Sequence, residues 1–227
     1  MENQFHGDLL NYLAEACRQA TPIPTIAELS EQLGISVTSV REQLEVARRL
    51  GFVAIKPKVG IHQREFTLTP ALELGMSYGI KVQPGLFEAF RDVRKHIEAG
   101  YWYEAAPLLT TAEVHELGEI VGRAQAKIKK QPIELPEAEH RSFHLAIFRH
   151  LENPIAQSLL ETYWELNAQV ERNYYLDQTY LENVWNYHQR IVEALAARDF
   201  ERGYQALLSH MDLVMQRKKA ELSQRFE

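Results

Sequence analysis

The spacing of apolar positions changes within the first 65 residues and stays helical beyond them. A helical stretch ends near Ala20, and the run from Thr21 to Gly34 then reads as a turn and a short helix of about two turns. Thr25 is its predicted N-cap, Glu28 three residues on completes a capping box, and Gly34 follows the last apolar residue, Leu33, where a helix stops. Ser36 caps a second helix, in which Val40, Leu44, Ala47 and Leu50 form the buried stripe and Gly51 the stop. Two short helices with a tight Gly-containing joint make a helix-turn-helix. Phe52–Ile55 and Ile61–Gln63, joined by Lys56-Pro57-Lys58-Val59-Gly60, predict a two-stranded hairpin with a basic tip, a wing after the recognition helix.

From Thr69-Pro70 to Gln83-Pro84-Gly85 the periodicity is poor, which places a linker at 70–84 between domains at 1–69 and 85–227. Beyond it, helices are expected at about 85–106, 112–130, 136–150, 154–176, 179–197 and 200–223. Breaks fall at Pro107, Gln131-Pro132, Asn153-Pro154, Leu176-Asp177 and Arg198-Asp199. The expected fold class is mainly α: a winged helix-turn-helix with a small β-hairpin, then an antiparallel all-helical bundle of six or seven helices. The chain has no Gly-rich phosphate loop, GxSxG elbow or fixed-period repeat.

Composition narrows the class without changing it. At 45% hydrophobic and 25% charged, the 227 residues are those of an ordinary globular chain. No stretch approaches the ~18–20 uninterrupted apolar residues a bilayer needs, and the N-terminus lacks a basic start followed by an apolar run, so a cytoplasmic protein without a membrane partner is expected. The single cysteine, Cys17, has neither an internal disulfide partner nor a CxxC mate, which makes thiol chemistry improbable.

Net charge is −6, yet residues 36–64 hold six basic side chains against Glu42 and Glu45. A recognition helix presents short polar and basic residues near its N-terminus to base edges, and later ones to phosphate. The face for the first role offers Thr38, Ser39, Arg41 and Glu42; Arg48, Lys56, Lys58 and Arg64 fit the second, which gives affinity without sequence information. The bland reading is a small packing unit with a solvated charged face, and a basic wing on the same unit weighs against it. The segment from Pro24 to Gln63 resembles the winged helix of the GntR superfamily of bacterial transcription regulators. Val37 stands where that family usually has an arginine reaching DNA; this removes one usual reader of the operator and leaves DNA binding itself in place.

Five of the nine histidines fall after residue 139. His140 and His144, at i and i+4, project from one helix face. If the last two helices fold back at Arg198-Asp199, His188 and His210 each lie eleven residues from the turn, roughly 16 Å along the axis, and face each other. Reflecting His140 and His144 across Asn153 gives positions near 164, and reflecting His188 across Asp177 gives one near 166, so Trp164 to Asn167 occupy the same layer, which nominates Asn167 by height alone. A single histidine is usually structural, but four converging imidazoles each demand partners, which one divalent metal ion supplies together.

Residues 85–220 resemble the FadR C-terminal (FCD) ligand-binding domain of one large GntR subfamily. The matching residues are Arg94-x-x-Ile97-Glu98, Ser142 to Ala146 through Asn153-Pro154, and His188-x-x-Ile191-Val192-x-Ala194-Leu195 with Asp199 and His210. Metal-binding members use an Asp and three His, positions that fall here on His140, His144, His188 and His210. With His140 in place of Asp, the site either keeps a ligand there or is losing its metal. An all-imidazole set disfavours hard ions, so Zn²⁺ or Ni²⁺ is expected. Open coordination positions suit a small organic acid, for which Arg94 offers a bidentate partner; the plainer role of Arg94 is an exposed ion pair with Glu98.

The aromatic groups Tyr101, Trp102, Tyr103 and Tyr174, Tyr175, Tyr180 are expected to pack or form a dimer contact, and Arg217-Lys218-Lys219 to complement a helix dipole. Together these readings describe a homodimeric regulator that binds a palindromic operator in double-stranded DNA and responds to a carboxylate effector. An enzyme with an accessory winged helix is the first rival, disfavoured because no obvious general base accompanies the four histidines. A protein–protein adaptor that no longer touches DNA is the second.

Overall fold

A computed structural model describes residues 8–56, 59–170 and 178–224, with ten helices and one two-stranded sheet among them. Contacts divide the chain into two compact units, 1–78 and 79–227.

In the first unit, α1 (Asp8–Arg18), α2 (Ile26–Leu33) and α3 (Val37–Arg49) pack around Leu9, Leu13, Leu29, Val40, Leu44 and Ala47. Thr25 and Glu28 form the expected capping box, Gly34 ends α2 in the left-handed region, and Ser36 caps α3 through the Ser39 amide. Leu50 ends α3 half-buried. Gly51 then needs to be glycine twice over: its φ is +84°, and a Cβ would come within 2.6 Å of Pro70 Cγ. Strands β1 (Val53–Lys56) and β2 (Gly60–Gln63) pair antiparallel, Ile55 opposite Ile61, with Val53 and Ile61 turned into the core. The tip residues Pro57 and Lys58 lie outside the described residues.

The segment read as a linker is a helix, α4 (Thr69–Val82), and the division between units falls inside it. None of its residues is buried. A helix that buries no stripe has no periodicity to reveal it, which is why the sequence pattern missed it.

The second unit holds α5 (Leu86–Ala105), a 3₁₀ turn at Ala106–Leu108, α6 (Thr111–Ile128), α7 (Glu137–Ile147), α8 (Pro154–Val170), α9 (Gln178–Ala196) and α10 (Phe200–Gln224). Helix α9 packs on α10 and α6, while α5 packs on α8 and α10. Asn153 caps α8 by accepting from the amides of Ile155 and Ala156, and Asp199 accepts from the Arg202 amide at the start of α10. The expected break at Leu176-Asp177, like Tyr174 and Tyr175, lies outside the described residues. Trp102, Leu117, Phe143, Trp185, Ile191 and Leu207 occupy the centre of the core, and Trp102 donates its indole N–H to the Phe200 carbonyl at 2.8 Å.

Candidate metal centre

Helix α7 places His140 and His144 one turn apart, α9 brings His188 and α10 His210, and one ligand atom from each lies within 4.8 Å of the others. The fold-back at Arg198-Asp199 is tight, with Arg198 at φ +57°, and it sets His188 beside His210 with ring centroids 4.3 Å apart. Nε2 of His144 is 3.2 Å from Nε2 of both His188 and His210. Two nitrogens held at ~2.05 Å by one tetrahedral ion stand about 3.3 Å apart, so this spacing suits a shared cation. Trp164 of α8 closes the layer, with its ring 4.7 Å from His140 and 4.9 Å from His144.

The four rings are poor proton acceptors in this environment. Burial, which penalises the imidazolium, is the main cause in each case; Arg94 pushes all four further the same way, neighbouring rings add to this at His140, His188 and His210, Glu98 opposes it at His210, and all four are held well below 6.5. They are therefore neutral at neutral pH, the form that ligates metal.

Helix α5 supplies what surrounds them. Glu98 is fully buried, and its Oε2 lies 2.9 Å from Nδ1 of His144 while Oε1 accepts from Arg94 Nε at 2.7 Å. A carboxylate on Nδ1 makes that nitrogen the protonated one and leaves the Nε2 lone pair aimed at the other histidines. One orphaned atom fits a missing partner as well: Nε2 of His140 is buried with no hydrogen-bond partner among the described residues, whereas the unpartnered Nδ1 atoms of His188 and His210 are on the far side of rings whose Nε2 atoms converge. The donor set thus fits a borderline-soft divalent cation, held by four imidazole nitrogens.

Arg94 is not the exposed ion pair that its spacing suggested. Its pair with Glu98 exists, but with side-chain exposures of 8% and 0%. Its Nη2 is 3.1 Å from both nitrogens of His144, which places the guanidinium over the ring face, and its Cζ lies 4.3 Å from the Trp164 centroid. Burial opposes its charge, but Glu98 and Tyr163 outweigh that and keep it protonated. The role of Glu98 at His144 escaped sequence reasoning, although a signal was present. Arg94 and Glu98 continue the 3–4 spacing of the buried stripe Phe87, Phe90, Trp102 and Ala105, so both had to face inward. Asn167 is buried, accepts from the Tyr163 hydroxyl at 3.1 Å, and shares a narrow recess with His140.

On the first unit, Thr38 and Arg41 are exposed on α3, whereas Ser39 is half-buried with its hydroxyl accepting from Gln43 Nε2. Arg48 and Arg49 both engage Glu45, and hydrogen bonding from Arg48 first and Arg49 second holds that carboxylate at about 2. Lys56 is exposed, and Lys58 is outside the described residues.

Residues 89–213, more than half of the chain, match the FCD domain. The HTH-type transcriptional regulator LutR of Bacillus subtilis (strain 168) is 26% identical over 199 residues, covering 83% of this chain and 87% of that protein. The chain is a FadR-type GntR regulator. The Uxu operon regulator of Haemophilus influenzae is 23% identical, with 85% of this regulator and 71% of that protein covered. Among solved structures, Streptococcus agalactiae GntR has the same fold, with a TM-score of 0.68 over 92% of this chain and 97% of that one at 17% identity. The regulator belongs to a family of transcription factors rather than enzymes, and no helix among its described residues is long and apolar enough to cross a membrane.

Proposed function

We propose that this GntR regulator is a homodimer that reads a palindromic operator with its winged helix and senses a small carboxylate at a metal ion bound in its helical unit. His140, His144, His188 and His210 hold the ion, Zn²⁺ or Ni²⁺, and the ion supplies Lewis acidity for a carboxylate oxygen. Arg94 meets the same acid, Glu98 fixes the His144 ring, and Asn167 lines the approach beside His140. Thr38, Ser39 and Arg41 meet base edges, while Arg48, Lys56 and Lys58 meet phosphate. An acid that binds better in one inter-domain arrangement raises the population of that arrangement, and with it the spacing of two recognition helices.

The observation that carries this reading is that Nε2 of His188 and of His210 each lie 3.2 Å from Nε2 of His144, whose Nδ1 is held by a buried carboxylate. The test is elemental analysis of the purified regulator together with Zn²⁺ titration of the wild type and His144→Ala. One ion per chain in the wild type and none in the variant supports the reading. Equal metal content in the two sinks it.

A further inference from the structure

We infer that His140 sets the charge of this centre so that the acid it accepts is a dianion rather than a monoanion. The inference rests on the metal reading above and starts from a count of charges. Ligating imidazoles are neutral, so four of them contribute nothing. The buried charged side chains among the described residues are Arg91, Arg94, Glu98 and Glu139. Each has an opposite partner: Arg91 has Glu88, Glu139 has Lys127, and Arg94 and Glu98 have each other. No buried carboxylate is left over to balance an ion.

A divalent ion therefore brings two uncompensated positive charges to a place where His144 is 1% and His188 0% exposed. Charges held out of water need neutralising partners, and here the partner must arrive with the ligand. A dicarboxylate brings the two negative charges that the ion lacks, and the planar fork of Arg94, though already balanced by Glu98, offers donors to its second carboxylate. A monocarboxylate leaves one positive charge buried. Glu137 lines the same recess as His140 and is half-buried like it, but it is not among the residues whose ligand atoms converge within 4.8 Å of one another.

His140 decides the balance because it is the ligand facing that recess, with Nε2 buried and without a partner. A carboxylate in its place lowers the surplus from two charges to one. The single substitution His140→Asp thus converts a dianion-selective site into a monoanion-tolerant one.

The test measures Zn²⁺ affinity of the full-length regulator by competition with a chromophoric chelator. Malonate and succinate are compared with acetate and propionate at matched ionic strength, correcting for the Zn²⁺ each acid binds in solution. In the wild type the dianions tighten Zn²⁺ binding more than the monoanions, by on the order of tenfold, as linkage between acid and ion requires. In His140→Asp that preference falls towards one, and in the neutral His140→Asn it persists. Equal tightening by both classes in the wild type overturns the inference and leaves the metal site standing, as does an unchanged preference in a folded His140→Asp. Failure of the wild type to bind Zn²⁺ overturns the metal reading and this inference together.

Discussion

Oε2 of Glu98 and Nδ1 of His144 stand 2.9 Å apart with both side chains fully buried, 46 residues apart in sequence. This contact joins α5 to the histidine layer, and through Oε1 of the same carboxylate it joins Arg94 as well. Removing it leaves a buried guanidinium without its counter-charge. Glu98→Ala is expected to destabilise the fold by about 3–5 kcal/mol, read by urea denaturation. Glu98→Gln keeps the shape but not the charge, and is expected to weaken Zn²⁺ binding by roughly 10–100-fold. If Glu98→Gln binds Zn²⁺ as the wild type does, the carboxylate has no part in orienting His144.

Acid should destabilise the metal-free protein through the same four rings. In the unfolded chain they take up protons near 6.5, whereas in the fold they do so only well below it. The unfolded state therefore binds more protons once the pH falls under 6.5. Stability present above that pH is lost on acidification, by up to roughly 1.4 kcal/mol per pH unit for each histidine. Denaturation midpoints measured between pH 7.5 and 5 should fall accordingly, and His188→Phe should flatten the decline. A stability independent of pH over that window would show that the rings are not buried neutral. Because the native rings are neutral already, an ion they hold leaves as the protein unfolds and not through a simple titration near 6.5.

Much of this was legible in the sequence, and the gaps have physical reasons. Caps at Thr25, Ser36 and Gly34 are local hydrogen-bond arrangements, so the short helices of the first unit were readable from a few residues. The histidine layer was readable because antiparallel helices convert distance from a turn into height, and Arg198-Asp199 is a sharp turn. Helix α4 was invisible because it buries nothing. Glu98 was misjudged because the i, i+4 rule gives the pairing of Arg94 and Glu98 but not which face of α5 carries it.

Two glycines separate packing from backbone propensity. A Cβ on Gly203 would come within 2.6 Å of Trp102 Cζ2, and that ring is fully buried with its indole N–H already committed. Gly203→Ala should therefore cost about 1–3 kcal/mol. Gly122, exposed in the interior of α6, has nothing within 4 Å of such a Cβ. Gly122→Ala should add about 0.5–1 kcal/mol by restricting the unfolded chain. Thermal melts of the two variants should move in opposite directions; a stabilised Gly203→Ala would contradict the described packing of α5 on α10.

The DNA-facing surface makes its prediction through salt. Arg41 and Lys56 are exposed and have no ion-pair partner among the described residues, so both are open to DNA, whereas Arg48 is shared with Glu45. Surface pairs of that kind are weak and exchange readily, so Arg48 must leave Glu45 to reach a phosphate, and the carboxylate it leaves repels the same phosphate. Lys56→Ala should weaken operator binding and reduce the slope of log affinity against log salt by about 0.9, the value for one phosphate contact. Because the role proposed for Arg41 is at a base edge rather than a phosphate, Arg41→Ala should weaken the operator more than an unrelated duplex. Glu45→Gln should do the reverse of Lys56→Ala and tighten both duplexes, because it releases Arg48 and Arg49 and removes a negative charge from the surface they share. Fluorescence anisotropy at several salt concentrations reads all three. If Glu45→Gln weakens binding, the carboxylate is positioning Arg48 for DNA instead of competing for it.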